Sequence, residues 1–204
     1  MNKLLAILFA VAGGLLSAAD PSLEIYEFGK NQPVLKAKLS GKPQNFAGTG
    51  WTCKAVKSAG KIAGWDLQFT SPKHEPVRLM VRFTSPLGFT PARFWDGHRE
   101  RKAEPLPLER SEFLEAFPLA TAENGKNGHA VGFAPQTILS GFRRALTSAG
   151  LVLETRIVVD DRRVQSLDIV DYDFNPEFGW CNAVEDYQNA FLSWFVPTPG
   201  VEPA

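Results

Sequence analysis

The 204-residue sequence sets 22 Lys and Arg against 22 Asp and Glu, a formal charge of zero. That balance excludes the basic footprint of a nucleic-acid binder. Fifteen Pro and seventeen Gly, spread along the chain, suit many short strands joined by turns rather than long helices.

The chain opens with Met1-Asn2-Lys3, a short basic start, followed by the apolar run LLAILFAVAGGLL at 4–16 and the small residues Ser17-Ala18-Ala19. This order is that of a cleavable signal peptide over residues 1–19, with Asp20-Pro21 beginning the mature chain. The apolar run is shorter than the roughly 20 residues a membrane span takes, and no Cys follows the small residues to mark a lipoprotein. A secreted or periplasmic protein is expected, soluble and free of the membrane after cleavage. The remaining residues 20–204 suit one domain with a single core.

Period-two alternation dominates that domain. Leu35, Ala37 and Leu39 alternate with Lys36 and Lys38; Trp65, Leu67 and Phe69 alternate with Asp66, Gln68 and Thr70; Val77, Leu79, Val81 and Phe83 alternate with Arg78, Met80 and Arg82. Each run reads as a strand with one buried and one wet face. Residues 23–28 and 51–56 are weaker cases. Further strands are expected near 117–122, 130–134, 142–146, 151–159 and 167–174. Both faces of 151–159 carry apolar residues, which predicts a central strand. Asp96-Gly97, Asn124-Gly125, Asn127-Gly128 and Ser148-Ala149-Gly150 mark reversals. About ten strands at hairpin spacing predict antiparallel sheets packed face to face, a mainly β sandwich spanning 20–178.

At residue 179 the pattern changes. Trp180, Val184, Tyr187, Phe191 and Trp194 recur at spacings of three and four, which predicts one amphipathic helix of about four turns over 179–195. It should dock on the sandwich with Trp180, Tyr187 and Trp194 partly exposed. Residues 196–204 form a Pro-rich linker or tail. A linker with nothing after it leads to the expectation that the natural protein continues.

Two readings stand for Cys53 and Cys181 in an oxidising compartment: a disulfide closing a long loop, or two separate thiols. The chemistry-bearing motifs are sparse. A nucleophile elbow is absent, and His74, His98 and His129 fit neither a triad motif nor a zinc spacing, reading instead as exposed loop residues. Gly48-x-Gly50 lies in a strand region with no helix after it, so it cradles no phosphate. Asp171-x-Asp173-x-Asn175-x-Glu177 resembles the start of a calcium loop but lacks its glycine and distal glutamate. Neither a metal nor a cofactor is expected. Carboxylates that an acid–base pair would need are plentiful (Asp96, Glu100, Asp160, Asp161, Asp168, Asp171, Asp173, Glu177, Glu185, Asp186), and nothing in the sequence selects two of them. The most ligand-like stretch is the 92–99 turn. There Trp95 would stack on a sugar ring while Asp96, His98 and Arg99 bond its hydroxyls; the opposing reading packs Trp95 over a sheet end.

Four segments carry a resemblance: FWDG at 94–97, FPLATAENGKNGHAVGFAP at 117–135, GLVLETRIVVD at 150–160 and NPEFGWCNAVEDYQNAFLSWF at 175–195. Together they resemble the N-terminal region of large secreted bacterial glycoside-hydrolase-like proteins, in which a β-supersandwich precedes a (β/α) barrel. The last segment is similar to the junction leading into that barrel. The resemblance implies a non-catalytic accessory module that packs against a following barrel domain and contacts glycan; it carries over no catalytic residue. The alternatives are a stand-alone lectin-like module and a small glycoside hydrolase built on a carboxylate pair.

Overall fold

The computed structural model describes residues 19–72, 75–112, 117–137, 141–160 and 164–195. Residues 1–18 of the expected 1–19 leader, His74, Asp161 and the 196–204 tail lie outside the described residues. Among those described, the period-two segments form fourteen strands in two sheets, all paired antiparallel. In chain order they are β1 (Ser22–Glu27), β2 (Leu35–Lys38), β3 (Gln44–Gly48), β4 (Trp51–Ala59), β5 (Ala63–Thr70), β6 (Val77–Ser85) and β7 (Arg93–Trp95). Then come β8 (Glu100–Lys102), β9 (Leu108–Glu112), β10 (Leu119–Glu123), β11 (Gly128–Phe133), β12 (Phe142–Thr147), β13 (Gly150–Val159) and β14 (Gln165–Phe174). The six-stranded sheet has the order β2-β1-β6-β13-β12-β9, and the eight-stranded sheet the order β3-β4-β5-β14-β11-β10-β7-β8.

Alternation decides which side chains meet between the sheets. Leu23 and Ile25 of β1, Leu79, Val81 and Phe83 of β6, and Leu153 of β13 point inward against Leu67 and Phe69 of β5 and Ile169 of β14. Each side chain of this size, fully removed from water, stabilises the fold by about 2–3 kcal/mol. β13 lies between β6 and β12, the central place its two apolar faces predict.

A second apolar layer lies on the outer face of the eight-stranded sheet. There α1 (Trp180–Ala190) covers Trp95, Leu119, Ala130, Val170 and Tyr172 with Ala183 and Tyr187. Two buried hydroxyls hold it in place: Tyr187 Oη donates to the Phe133 carbonyl at 2.7 Å, and Tyr172 Oη to the Ala183 carbonyl at 2.6 Å. Buried phenols need such partners.

The structure departs from the sequence expectation in three places and decides a fourth point that the sequence leaves open. The helix is not continuous over 179–195: Phe191 leaves helical geometry at φ −117° and ψ 37°, and a short α2 (Leu192–Phe195) follows. The bend lets Phe191 pack on Tyr187 at 5.0 Å and Phe195 reach Phe117 at 6.4 Å. Tyr187, expected to be partly exposed, is fully buried, whereas Trp194 is 58% exposed. The segment at Gly48–Gly50 is the turn between β3 and β4, with Gly50 at φ +82°. Finally, the cysteines are free thiols, Cys53 facing the core and Cys181 exposed on α1, so the disulfide reading does not hold.

Candidate functional site: a polar cleft at one end of the sandwich

Ser85, His129, Asp171 and Asp173 are polar residues in the inward, otherwise apolar phase of their strands. Ser85 continues the inward series of Leu79, Val81 and Phe83; His129 shares its face with Val131 and Phe133; Asp171 and Asp173 continue the phase of Leu167 and Ile169. Antiparallel register sets His129 directly opposite Asp173. The four meet where the two sheets part. His129 Nδ1 lies 2.7 Å from Asp173 Oδ1, and Nε2 lies 2.8 Å from Ser85 Oγ and 2.9 Å from Asp171 Oδ1. Ser85 Oγ in turn donates to Asp171 Oδ1 at 2.6 Å.

Burial alone would lower the His129 pKa, but hydrogen bonds to Asp171 and then Asp173, reinforced by both negative charges, raise it to about 9. His129 is therefore an imidazolium at neutral pH, with both N–H groups committed. The bond from His129 also holds Asp173 below the usual carboxylate range, against the opposing effect of burial. The Ser–His–Asp distances match those of a nucleophile triad, but the protonation does not. A histidine already carrying its proton takes none from Ser85, whose own hydrogen points at Asp171. The array is a fixed set of charges and acceptors, suited to holding a ligand rather than attacking one.

This array lines a cleft of about 810 Å³. β5 pairs with β14 only as far as Gly64 opposite Val170, so residues 171–174 have an edge without a β5 partner. The turn between β4 and β5, α1 and residues 19–21 form the walls, contributing Lys57, Lys61, Asn189 and Asp186. Lys61 Nζ reaches the Asn189 carbonyl at 3.4 Å, tying the turn to α1. Gly64 lets β5 lie close against β14, because a Cβ there would collide with the Ile169 carbonyl and press on Ser58 Oγ.

The turn singled out from sequence is built differently from the expected sugar platform. Asp96-Gly97 makes the predicted tight reversal between β7 and β8, with Gly97 at φ +86°. Trp95 is only 5% exposed and stacks on Trp180 at 4.5 Å with ring planes 6° apart. Asp96 is fully buried, accepting the backbone N–H groups of Arg99 at 2.8 Å and His98 at 3.1 Å and pairing with Arg101. Burial would raise its pKa, yet the Arg99 N–H, the Arg101 side chain and the His98 N–H outweigh it and hold the carboxyl low. His98 and Arg99 are exposed. The two outer residues of the candidate set thus face solvent, and the two inner ones face the fold.

Of the candidate carboxylates, the structure brings Asp171 and Asp173 together through His129. It sets Asp168 opposite Asp66, a residue that sequence reasoning passed over. The calcium-like series is not a loop at its start: Asp171 and Asp173 lie on one face of β14, bonded to His129. Among the described residues no group of three or more His, Cys, Asp or Glu is placed to hold a metal. His129 is a half-buried strand residue, not the exposed loop histidine expected. The signal that would have found Ser85 and His129 is a polar residue in the apolar phase of an amphipathic strand.

No family model matches this sequence, and no curated protein does. Among solved structures, a polysaccharide lyase aligns over 87% of this chain and 28% of its own length at 9% identity, with a TM-score of 0.46. The GH36 alpha-galactosidase AgaA from Geobacillus stearothermophilus aligns over 76% of this chain and 28% of its own at 12% identity, with a TM-score of 0.27. The chain spans less than a third of the length of either protein.

Proposed function

We propose that this chain is an extracytoplasmic, non-catalytic β-sandwich module of a carbohydrate-active protein, holding glycan in the cleft floored by His129, Asp171 and Asp173. The observation that carries the reading is the imidazolium held between two carboxylates on the floor of an open cleft. Sugar hydroxyls are recognised by convergent, immobile acceptors and donors. Asp173, whose side chain is 87% exposed, offers acceptors toward solvent, while Lys57, Lys61 and Asn189 offer donors from the walls. The protonated state of His129 beside Ser85 favours binding over hydrolysis.

The accessory role is supported by Phe178, Leu192, Trp194 and Phe195, which are 40–70% exposed around the two helices. Exposed apolar side chains of this size suit contact with a neighbouring domain, such as a barrel following residue 195. Export rests on the leader at 1–19 and is checked by N-terminal sequencing of the released chain, which should begin at Asp20. Among the described residues no helix is long and apolar enough to cross a membrane.

The test of the binding role is a glycan array probed with the purified protein and its Asp173→Ala, Lys57→Ala and Arg99→Ala variants. Binding by the native chain that weakens about tenfold or more in the variants supports the cleft. Binding lost only in Arg99→Ala moves the site to the 94–99 turn. A folded protein that binds no glycan overturns the reading.

A further inference from the structure

The eight-stranded sheet carries a second polar surface on its outer face, beyond the area that α1 covers. Cross-strand register lines up Asn45, Lys54, Gln68 and Ser166 in one row across β3, β4, β5 and β14. Val56, Asp66 and Asp168 form the next row, and Thr52 and Thr70, with hydroxyls 2.6 Å apart, stand on the other side. Two hollows lie along these rows. One of about 490 Å³ sits over Thr52, Lys54, Gln68 and Thr70. Another of about 250 Å³ sits over Asp66, Asp168 and Gln136 and ends against Ile62 and Phe191. Gln68 stands between them, donating Nε2–H to Asp66 Oδ2 at 2.5 Å.

The chemistry of the second hollow is incomplete as it stands. Like charges directly opposite on paired strands destabilise a sheet, and Asp66 faces Asp168 in that way. Burial raises the Asp168 pKa, the Gln136 amide at 3.1 Å acts against it, and the charge of Asp66 and a hydrogen bond shared with Asp66 raise it further. Asp66 Oδ1 is a buried acceptor that lacks a hydrogen-bond partner among the described residues.

We infer that this groove is a second saccharide-binding surface, taking a neutral glycan whose hydroxyls donate to Asp66 and Asp168 and accept from Lys54. Two features select that class over a cation. The amide nitrogens of Gln68 and Gln136, rather than their oxygens, are turned toward the carboxylates, and Lys54 and Lys61 add positive charge at the rim. An anionic ligand is opposed by the carboxylate pair itself. Ile62 and the Phe191 ring give the apolar wall that a sugar ring packs against. The inference rests on the proposed carbohydrate role and adds a location independent of the cleft.

The experiment measures affinity of the full protein for immobilised neutral glucans, galactans, mannans and xylans, comparing native chain, Asp66→Asn, Gln136→Ala and the cleft variant Asp173→Ala. Asp66→Asn is isosteric and removes a repulsive charge, so its thermal midpoint should hold or rise while affinity falls about tenfold or more. Loss in Asp66→Asn and Gln136→Ala with the fold intact supports the groove, whatever Asp173→Ala does. Loss in Asp173→Ala alone overturns the groove and leaves the cleft reading in place. Native protein that binds none of the panel overturns the groove; binding to other glycans that Asp173→Ala weakens keeps the cleft. Should Asp66→Asn fail to fold, Gln136→Ala decides the matter alone.

Discussion

The Ser85 hydroxyl of the six-stranded sheet and the His129 imidazole of the eight-stranded sheet meet at 2.8 Å, so the polar floor of the cleft also links the two sheets. Binding geometry and stability are therefore coupled at His129, and both carry a defined pH dependence.

The folded-state pKa of His129, about 9, lies above its ordinary 6.5. A raised histidine pKa contributes stability that is fully present below about 6.5 and is lost as pH rises through about 9. At pH 7 the contribution is about 2 kcal/mol, discounted because Asp173 is largely solvated. Denaturant unfolding of the native chain should show declining stability between pH 6.5 and 9, and His129→Gln should be less stable at pH 7 with that slope flattened. A native profile flat across the window would contradict the locked imidazolium.

A second pin between the sheets is Arg144, fully buried on β12, which donates to the Phe117 and Leu119 carbonyls. Gly97 lies against it. A methyl group at Gly97 would run into the Arg144 guanidinium and the Phe117 carbonyl while holding φ at +86°. Gly97→Ala should cost about 3 kcal/mol by equilibrium unfolding, more than the strain of positive φ alone.

Much of the architecture was legible because its strands are long and half-wet. Residues 77–83 and 151–159 alternate cleanly enough to place both their faces. β7 and β8, at three residues each, carry too little period to read, and β9 is five residues long. The helix break at Phe191 follows from aromatic contacts with Tyr187 and Phe117 that no local spacing encodes. The cleft was hidden for a related reason: Ser85 and Asp171 are 86 positions apart, and only strand pairing brings them together. Trp95 misled in the opposite direction, since a tryptophan beside a turn reads as a platform until Trp180 is known to cover it.

The Trp95–Trp180 stack makes its own prediction. Trp95→Ala removes a buried ring and should cost about 3–5 kcal/mol. Trp180→Ala should cost less and shift tryptophan emission to longer wavelength as Trp95 meets water. Equal, negligible effects from both would show that the stack contributes nothing to docking α1.

Asp168 should respond in the opposite sense to a carboxylate stabilised by a cation. Its raised pKa means that the fold is favoured while Asp168 is protonated and loses that stability as pH rises through the shifted value. Asp168→Asn should therefore stabilise the protein at neutral pH, read as a higher thermal midpoint. A lower midpoint would mean that the ionised pair is held by contacts beyond Gln136.

The most direct test of the account is amide NMR on the folded protein during titration with a glycan that the array selects. The account predicts shifts clustered at residues 57–64, Ser85, His129 and 171–173, the strands and turn around the cleft. Shifts confined to residues 97–101, or none at saturating glycan, would contradict it.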